Sequence, residues 1–449
     1  MPIWQPVFSD PADATAEMTP HRLLDAACSR HRDIFGTEPT GGATAPSTWS
    51  LLGEHTDHSG GIVLASLSQW SVAVTVSPNP DDVINVATVT PLTTVTPVTG
   101  GEMDVEKHSL AVDEVAARAA AQQTTVNAHG RPSPTPVPEG GIAARLGGLA
   151  WTMIHRQMLS RDTRGLDITV VSTIPVGIGL GEMAATDVAT ALALSTEDTR
   201  DAPIRARLAE ICSQSAAMFA EIAPLRARHT TALRGERGKM SVIDYADGSV
   251  TQVPHPVNRS AGLSAYLVAP PTTGAFPTGD LDPQETRRRQ YFVDEATRAF
   301  SVESLRLLPD ATVRVTEWLE AVIEVAGRKH LPTVEQARNW LSFWEAETMR
   351  AQRLTRALRA RRRQDIAHLV GTSQNDLSCV YGVPDTERAL VELCQTRGAV
   401  CARSASAGIT RGVVALVDAR RATNFAADLA DDGLLVVPLG HGEVANKAF

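Results

Sequence analysis

From His21 to Gly36 apolar residues recur at helical spacing, which predicts an amphipathic helix stopped by Gly36. A Gly/Pro-rich link follows, from Pro39 to Pro46. Ser68–Ser77 and Val83–Pro97 are rich in Val and Thr and alternate apolar with polar, the pattern of strands. Val105–Gln123, Ala143–Leu159 and Ile204–Ala220 are expected to be helices, the second buried and carrying Gly147 and Gly148. Leu166–Ile174, the run beginning at Ala265, and Val413–Val417 are expected to be strands, the last of them buried. Asn127–Gly141 is dense in proline and lacks core-forming residues, so it is expected to be a surface insertion.

Chemistry concentrates in Ser50–Leu64, which places Glu54, Asp57, His55, His58 and Gly53, Gly60 and Gly61 between two apolar runs. Such a polar, glycine-bounded turn reads as a loop held between strands, where binding residues tend to sit. Carboxylates that only accept hydrogen bonds, beside imidazoles that donate or accept, suit a polyhydroxylated ligand such as a sugar. A solvated turn with capped histidines is the plainer reading. A metal site is the weaker one, because the chain has no H-E-x-x-H and no paired Cys-x-x-Cys.

At 449 residues the chain is long enough for two or three domains. Its net charge of −9 argues against a dedicated nucleic-acid binder. Arg350, Arg353, Arg356, Arg359 and Arg363 recur at helical spacing, and a solvated helix face is the expectation for them. The five cysteines are widely spaced and suggest neither a disulfide framework nor zinc, which points to a reducing compartment. With no signal-peptide pattern and no apolar run near the ~18 residues that span a bilayer, a soluble cytoplasmic protein with no membrane partner is expected.

Gly53-Glu-His-Thr-Asp-His58 resembles the galactokinase signature G-E-H-T-D-Y, and two further landmarks follow in order. Pro175-Val-Gly-Ile-Gly-Leu-Gly-Glu-Met-Ala184 resembles the phosphate loop P-x-G-x-G-L-S-S-S-A of the GHMP kinase superfamily. Ala402–Val417 resembles the family's glycine-rich third motif, with Arg403, Gly408 and Gly412 keeping its skeleton and Ser406 and Thr410 replacing glycines. The resemblance implies a two-domain α+β GHMP kinase fold with its cleft between an N-terminal (1–203) and a C-terminal (204–449) domain. It further implies transfer of the ATP γ-phosphoryl group to the anomeric hydroxyl of galactose. Sugar contacts then fall to Glu54, His55 and Asp57, phosphate contacts to the turn at Gly177, Gly179 and Gly181, and the cofactors are ATP and Mg2+.

Several positions depart from that pattern. Gly235–Asp244 resembles the family's G-x-x-G-x-A-x-x-I-D segment and fixes the register, which puts Arg228 at the catalytic Asp and Ala216 at the magnesium-binding Glu. Thr48 stands at the arginine that pairs with that Asp, Gln284 at a sugar-packing tyrosine, and Gly181, Glu182 and Met183 at the three serines. Glu285–Gln290 resembles the family's R-R-R-Q run, opening a helix through Phe300. A guanidinium cannot accept the attacking hydroxyl's proton, alanine cannot hold Mg2+, and threonine supplies no charge. Glu182 sets a carboxylate where polyphosphate belongs, a repulsion of about 4 kcal/mol at an effective dielectric near 20. These departures argue against ATP and Mg2+ as working cofactors. They predict a pseudokinase, a non-catalytic relative that keeps a sugar-like pocket and has no metal site. The alternative is a kinase with rerouted residues, Asp187 or Glu221 for metal and Asp57 as base.

Overall fold

The computed structural model describes residues 6–7, 19–90, 92–93, 104–123, 135–257, 262–271, 283–327, 331–406 and 409–449. β1 (Pro6–Val7) is followed by α1 (Pro20–Phe35), whose first turn is capped by the Thr19 hydroxyl and whose end is set by left-handed Gly36. Next come β2 (Gly41–Leu52), β3 (Ile62–Asn79), β4 (Val83–Thr90), β5 (Leu92–Thr93) and β6 (Asp104–Ala111). Helices α2 (Val112–Ala121) and α3 (Ile142–His155) precede β7 (Gly165–Ser172). Three helices then run in succession: α4 (Glu182–Leu194), α5 (Ala202–Phe219) and α6 (Arg226–Arg234). The hairpin β8 (Lys239–Asp244) and β9 (Ser249–Pro254) leads to β10 (Leu263–Ala269). The helices α7 (Pro283–Ala299), α8 (Ala311–Ala326), α9 (Val334–Arg359), α10 (Arg363–Asp376) and α11 (Asp385–Thr396) come next, a π-helical turn at Leu377–Tyr381 following α10. The chain ends with β11 (Ala399–Ser404), β12 (Val413–Asp418), α12 (Ala422–Asp431), β13 (Leu435–Leu439) and β14 (Asn446–Lys447).

Two sheets organise these elements into a two-domain α+β fold. The larger runs β14–β2–β3–β7–β4–β6, with the β8–β9 hairpin attached to the start of β3. β3 serves two neighbours in turn: Ile62–Ala65 pair with β8 and Val72–Asn79 with β7. The smaller sheet, β11–β12–β10–β13, is antiparallel throughout. Its strands alternate as a two-sided sheet must. Leu263, Ala265 and Leu267 join the main core, whereas Val268, Val413 and Val417 pack with Phe425 and Leu429 of α12 and Leu390 of α11. A separate core under α7–α9 holds Phe292, Leu305, Val315, Leu319 and Leu341. Among the described residues no helix is long and apolar enough to cross a membrane.

Three sequence expectations are corrected. The stretch from Val105 opens as strand β6, and the helix begins only at Val112. β6 pairs with β4 alone at the edge of the sheet, and its exposed Glu106, Lys107 and His108 are the charges that guard an edge. Much of the supposed link Pro39–Pro46 is strand: Gly41 and Gly42 pair with Val76 and Thr75, and Pro46 precedes a register shift where a ladder tolerates proline. The arginine spacing does not mark one solvated face. Arg350 is buried against Glu347 and Asp376, and α9 ends at Arg359, before Arg363. Of the proline-dense stretch, residues 127–134 lie outside the described residues, and the remainder runs without regular structure to the N-cap of α3 at Gly141.

Gly148 in α3 lets that helix lie directly on α5, since a Cβ there would come within 2.2 Å of the Phe219 ring. Helix propensity alone favours Gly148→Ala by about 1 kcal/mol. The packing predicts the opposite sign, a loss of about 1–3 kcal/mol in urea unfolding. An unchanged or raised midpoint would show that Phe219 has room to move.

Candidate functional site

The loop between β2 and β3 is wound tightly by Thr56, whose amide and hydroxyl both donate to the Gly53 carbonyl at 2.9 and 2.8 Å, while its own carbonyl accepts from Gly61 at 2.7 Å. Gly53 has φ +90°, and a Cβ there would lie 2.1 Å from the Ile62 carbonyl oxygen. This winding turns Glu54 and Asp57 inward, where both are buried.

Glu54 Oε1 accepts from Arg403 at 2.6 Å. Arg403, from β11, also donates to Glu347 at 3.1 Å and to the Ser373 hydroxyl at 2.8 Å. Glu347 in turn pairs with Arg350, and Arg350 with Asp376. The chain of charges therefore ties the loop to β11, α9 and α10. Burial pushes the Glu54 carboxyl up in pKa, against the pull of Arg403. Its second oxygen, Oε2, is buried without a partner. His55 sits beside it, with Nε2 3.8 Å from Glu54 Oε1 and likewise without a hydrogen bond. Burial, then the guanidinium groups of Arg403, Arg289 and Arg228, hold this imidazole well below its ordinary pKa, so it is neutral. Tyr381 flanks it at 5.3 Å between ring centroids, and Arg289 lies 4.0 Å over the Tyr381 ring.

Asp57 is engaged differently. Its Oδ2 accepts from the Arg226 amide at 2.7 Å and so caps the start of α6. Burial raises its pKa, opposed by Arg226 and His58. His58 bonds outward to Asp294 of α7 at 2.9 Å.

Two residues beyond that cap, Arg228 drives its guanidinium into the junction of three loops. It donates to the Thr48 carbonyl of β2, to the Gly179 carbonyl at 2.7 Å, to the Ala405 carbonyl at 3.2 Å and to the Ser406 hydroxyl at 3.1 Å. The glycine-rich turn is built around it. Gly177, Gly179 and Gly181 have φ of 71°, 98° and 68°. A Cβ at Gly181 would meet Arg228 Cδ at 2.6 Å, and one at Gly179 would meet Thr410 Oγ1 at 2.8 Å. Thr48 donates its amide to Leu180 at 3.0 Å while its hydroxyl is buried without a partner. Gly408, part of the third motif, lies outside the described residues.

Below the turn a second buried group of charges joins α3, α4, α5 and α6. Arg145 clamps Asp187 with two hydrogen bonds at 2.7 and 2.6 Å, His229 bonds Asp187 Oδ2 at 2.8 Å, and His229 also meets the Ser213 hydroxyl at 3.0 Å. Burial pushes the Asp187 carboxyl up, but Arg145 and the bonds from His229 and Arg145 outweigh it and leave the pKa below 3.8. Ala216 is buried on α5, three residues past Ser213. Among the described residues no group of three or more His, Cys, Asp or Glu is placed to hold a metal ion.

Glu182, at the start of α4, differs from its expected role. Its carboxyl is pushed up to about 8 by burial, with Arg145 opposing. It is therefore largely uncharged at neutral pH, and the repulsion expected from a carboxylate there is absent. The structure thus gathers Thr48, Glu54, His55, Gly179, Gly181 and Arg228 into one region. Asp57 is turned to a helix end instead. Arg403 was flagged by its motif, but its partners Glu347 and Ser373, and the Arg145–Asp187–His229 group, carry no local sequence signal.

The galactokinase galactose-binding signature matches residues 29–78, which contain the β2–β3 loop. Galactokinase of Streptomyces coelicolor is 23% identical over 393 residues, spanning 87% of this chain and 88% of its own length. Human (Homo sapiens) galactokinase is 26% identical over 290 residues, 63% of this chain and 62% of its own length. Among solved structures, Lactococcus lactis galactokinase complexed with galactose superposes with a TM-score of 0.67 at 16% identity, covering 95% of this chain and 100% of that one. Methanococcus jannaschii mevalonate kinase gives 0.53 at 12% identity, over 89% of this chain and 98% of that one. The two-domain α+β fold is that of its GHMP kinase structural neighbours. Within that class the similarity is to the galactokinases, through the signature over residues 29–78 and through the curated galactokinases above.

Removing one partner of a buried ion pair leaves the other charge without compensation, so Arg145→Met is expected to cost about 3–5 kcal/mol near pH 7. Asp187 has its native pKa depressed, so its contribution is present above pH 3.8 and lost as pH falls through the lower native value. The gap between wild type and variant should therefore close in acid; denaturant titrations at pH 7 and pH 3 would reveal a gap that fails to close. Glu182 has the opposite sign. The stability it lends is present below pH 4.5 and lost as pH rises through about 8. Melting temperatures of Glu182→Gln, compared with wild type, should improve from pH 5 to about pH 8 and level off above it. A difference independent of pH would place the carboxyl in solvent.

Proposed function

We propose that this chain is a non-catalytic member of the galactokinase family that retains a pocket for a sugar-like ligand around Glu54 and His55. One observation carries the reading: the residue at the position of the family's base is Arg228, spread across the carbonyls of Thr48, Gly179 and Ala405. A guanidinium has no lone pair to offer a hydroxyl proton. It also takes up the carbonyls and the space of the turn expected to cradle phosphate.

The residues present do not fit Mg-ATP. Ala216 has no ligand atom, and both oxygens of Asp187 are already held by Arg145, with His229 on one of them. An arginine supplies there the positive charge that a metal ion would otherwise bring. Asp57, the rerouted base, spends an oxygen on the Arg226 amide. Glu221 is exposed, beyond the end of α5. These engagements weigh against the rival reading of a kinase with relocated residues. The sugar side is supported by the signature over the β2–β3 loop and by the two buried, unpartnered acceptors, Glu54 Oε2 and His55 Nε2.

A coupled assay for ADP release with Mg-ATP and a panel of hexoses tests this directly. Loss of base and metal ligand predicts turnover at least ~10²–10⁴-fold below an active galactokinase run alongside. Calorimetry should show no Mg-ATP binding. Turnover at the pace of the active enzyme would sink the reading.

A further inference from the structure

Arg228 is 5% exposed, yet every acceptor it touches is neutral: three carbonyls and one hydroxyl. No carboxylate lies within 4 Å of it among the described ion pairs. The carboxylate that attracts it, Glu54, has committed Oε1 to Arg403. A buried cation without a contacting anion is costly, and burial accordingly lowers its pKa to about 10. Around it lie buried polar atoms with no partner: Thr48 Oγ1, Glu54 Oε2, His55 Nε2 and Thr410 Oγ1. They are linked through the same contacts. Ser406 bonds Arg228 by its hydroxyl and His55 by its backbone, and Thr48 gives Arg228 its carbonyl. At the adjoining start of α4 the N-cap Gly181 offers no side-chain cap.

These groups sort by what they ask of a ligand. Glu54 Oε2 accepts, so it calls for hydroxyl donors. Arg228 donates and carries a charge that only an anion offsets, and Thr48 can donate beside it. Glu182, the acid nearest in sequence to the turn, is largely neutral near pH 7 and leaves an anion unopposed. Resting on the sugar-pocket reading above, we infer that the ligand is a polyhydroxylated molecule bearing a compact oxyanion, phosphate or carboxylate, seated on Arg228. The cation that removes phosphoryl chemistry from this site thereby sets its specificity, favouring a charged sugar over a neutral one.

Calorimetry on the full chain with galactose, galactose 1-phosphate, galacturonate and inorganic phosphate tests this, without ATP. At least one anionic hexose should bind tenfold or more tighter than galactose, and the tighter of the two names the oxyanion. Arg228→Gln should reduce that preference to less than threefold, and Arg228→Lys should restore part of it. Thermal melts verify that each variant is folded; should Arg228→Gln not fold, Thr48→Val takes its place and should weaken the anionic hexose alone. Equal affinity for charged and neutral hexose in wild type overturns the inference, as does a preference that survives Arg228→Gln. Binding of phosphate lost in Arg228→Gln, with no hexose bound, upholds the anion seat and rejects the sugar reading. Binding of galactose alone upholds the sugar reading and rejects the anion seat. Silence to all four probes rejects both.

Discussion

A guanidinium withdrawn from water must find acceptors for its N–H groups, and the rest of this site is arranged around where Arg228 finds them. Its hydrogen bonds draw together a strand of the large sheet, the turn before α4 and the loop after β11. Each of those acceptors is a backbone carbonyl, so the contact is available only if the three segments approach closely. Glycine makes the approach possible at Gly181, where any side chain would meet the arginine itself. A carboxylate at the same position would repel those carbonyls, and the loops would have to stand apart or admit a cation between them.

Two other arginines repeat the logic nearby. Arg403 anchors Glu54 and Glu347 from β11, and Arg145 grips Asp187 from α3. The carboxylates of Glu54, Glu347 and Asp187 are thus neutralised by arginines of the chain itself, whereas Arg228 rests on neutral acceptors. A network of this kind fixes geometry more than it adds stability, since desolvation offsets much of the attraction. What it secures here is the orientation of the β2–β3 loop, with one oxygen of Glu54 held by Arg403 and the other buried without a partner. The proposed loss of phosphoryl transfer rests on a different exchange, the arginine at position 228 whose guanidinium fills the junction beside the glycine-rich turn.

The landmarks that could be read in advance are the local ones. The glycine-bounded loop at Gly53–Gly61 was legible because left-handed backbone and a polar cluster leave a mark within a few residues. Helix α1 announced itself by its spacing and its Gly36 stop. Strand β6 did not, because an edge strand dressed in charge looks like a polar helix until its partner β4 is known. The role of Asp57 was hidden for a similar reason: whether a carboxylate faces a ligand or caps a helix depends on where α6 begins, 169 residues on.

By itself the sequence determined the resemblance to galactokinases, the α+β class, the order of the three glycine-marked turns and the presence of Thr48, Ala216 and Arg228. Those follow from residue type and spacing, which are properties of the chain alone. Only the tertiary structure decided what those residues touch. That Glu182 is largely uncharged near neutrality, that Asp187 is already paired, and that Arg228 rests on neutral carbonyls all depend on burial and on neighbours remote in sequence. The physical reason is that charge and hydrogen bonding are settled by local dielectric and distance, and neither exists until the chain has closed on itself.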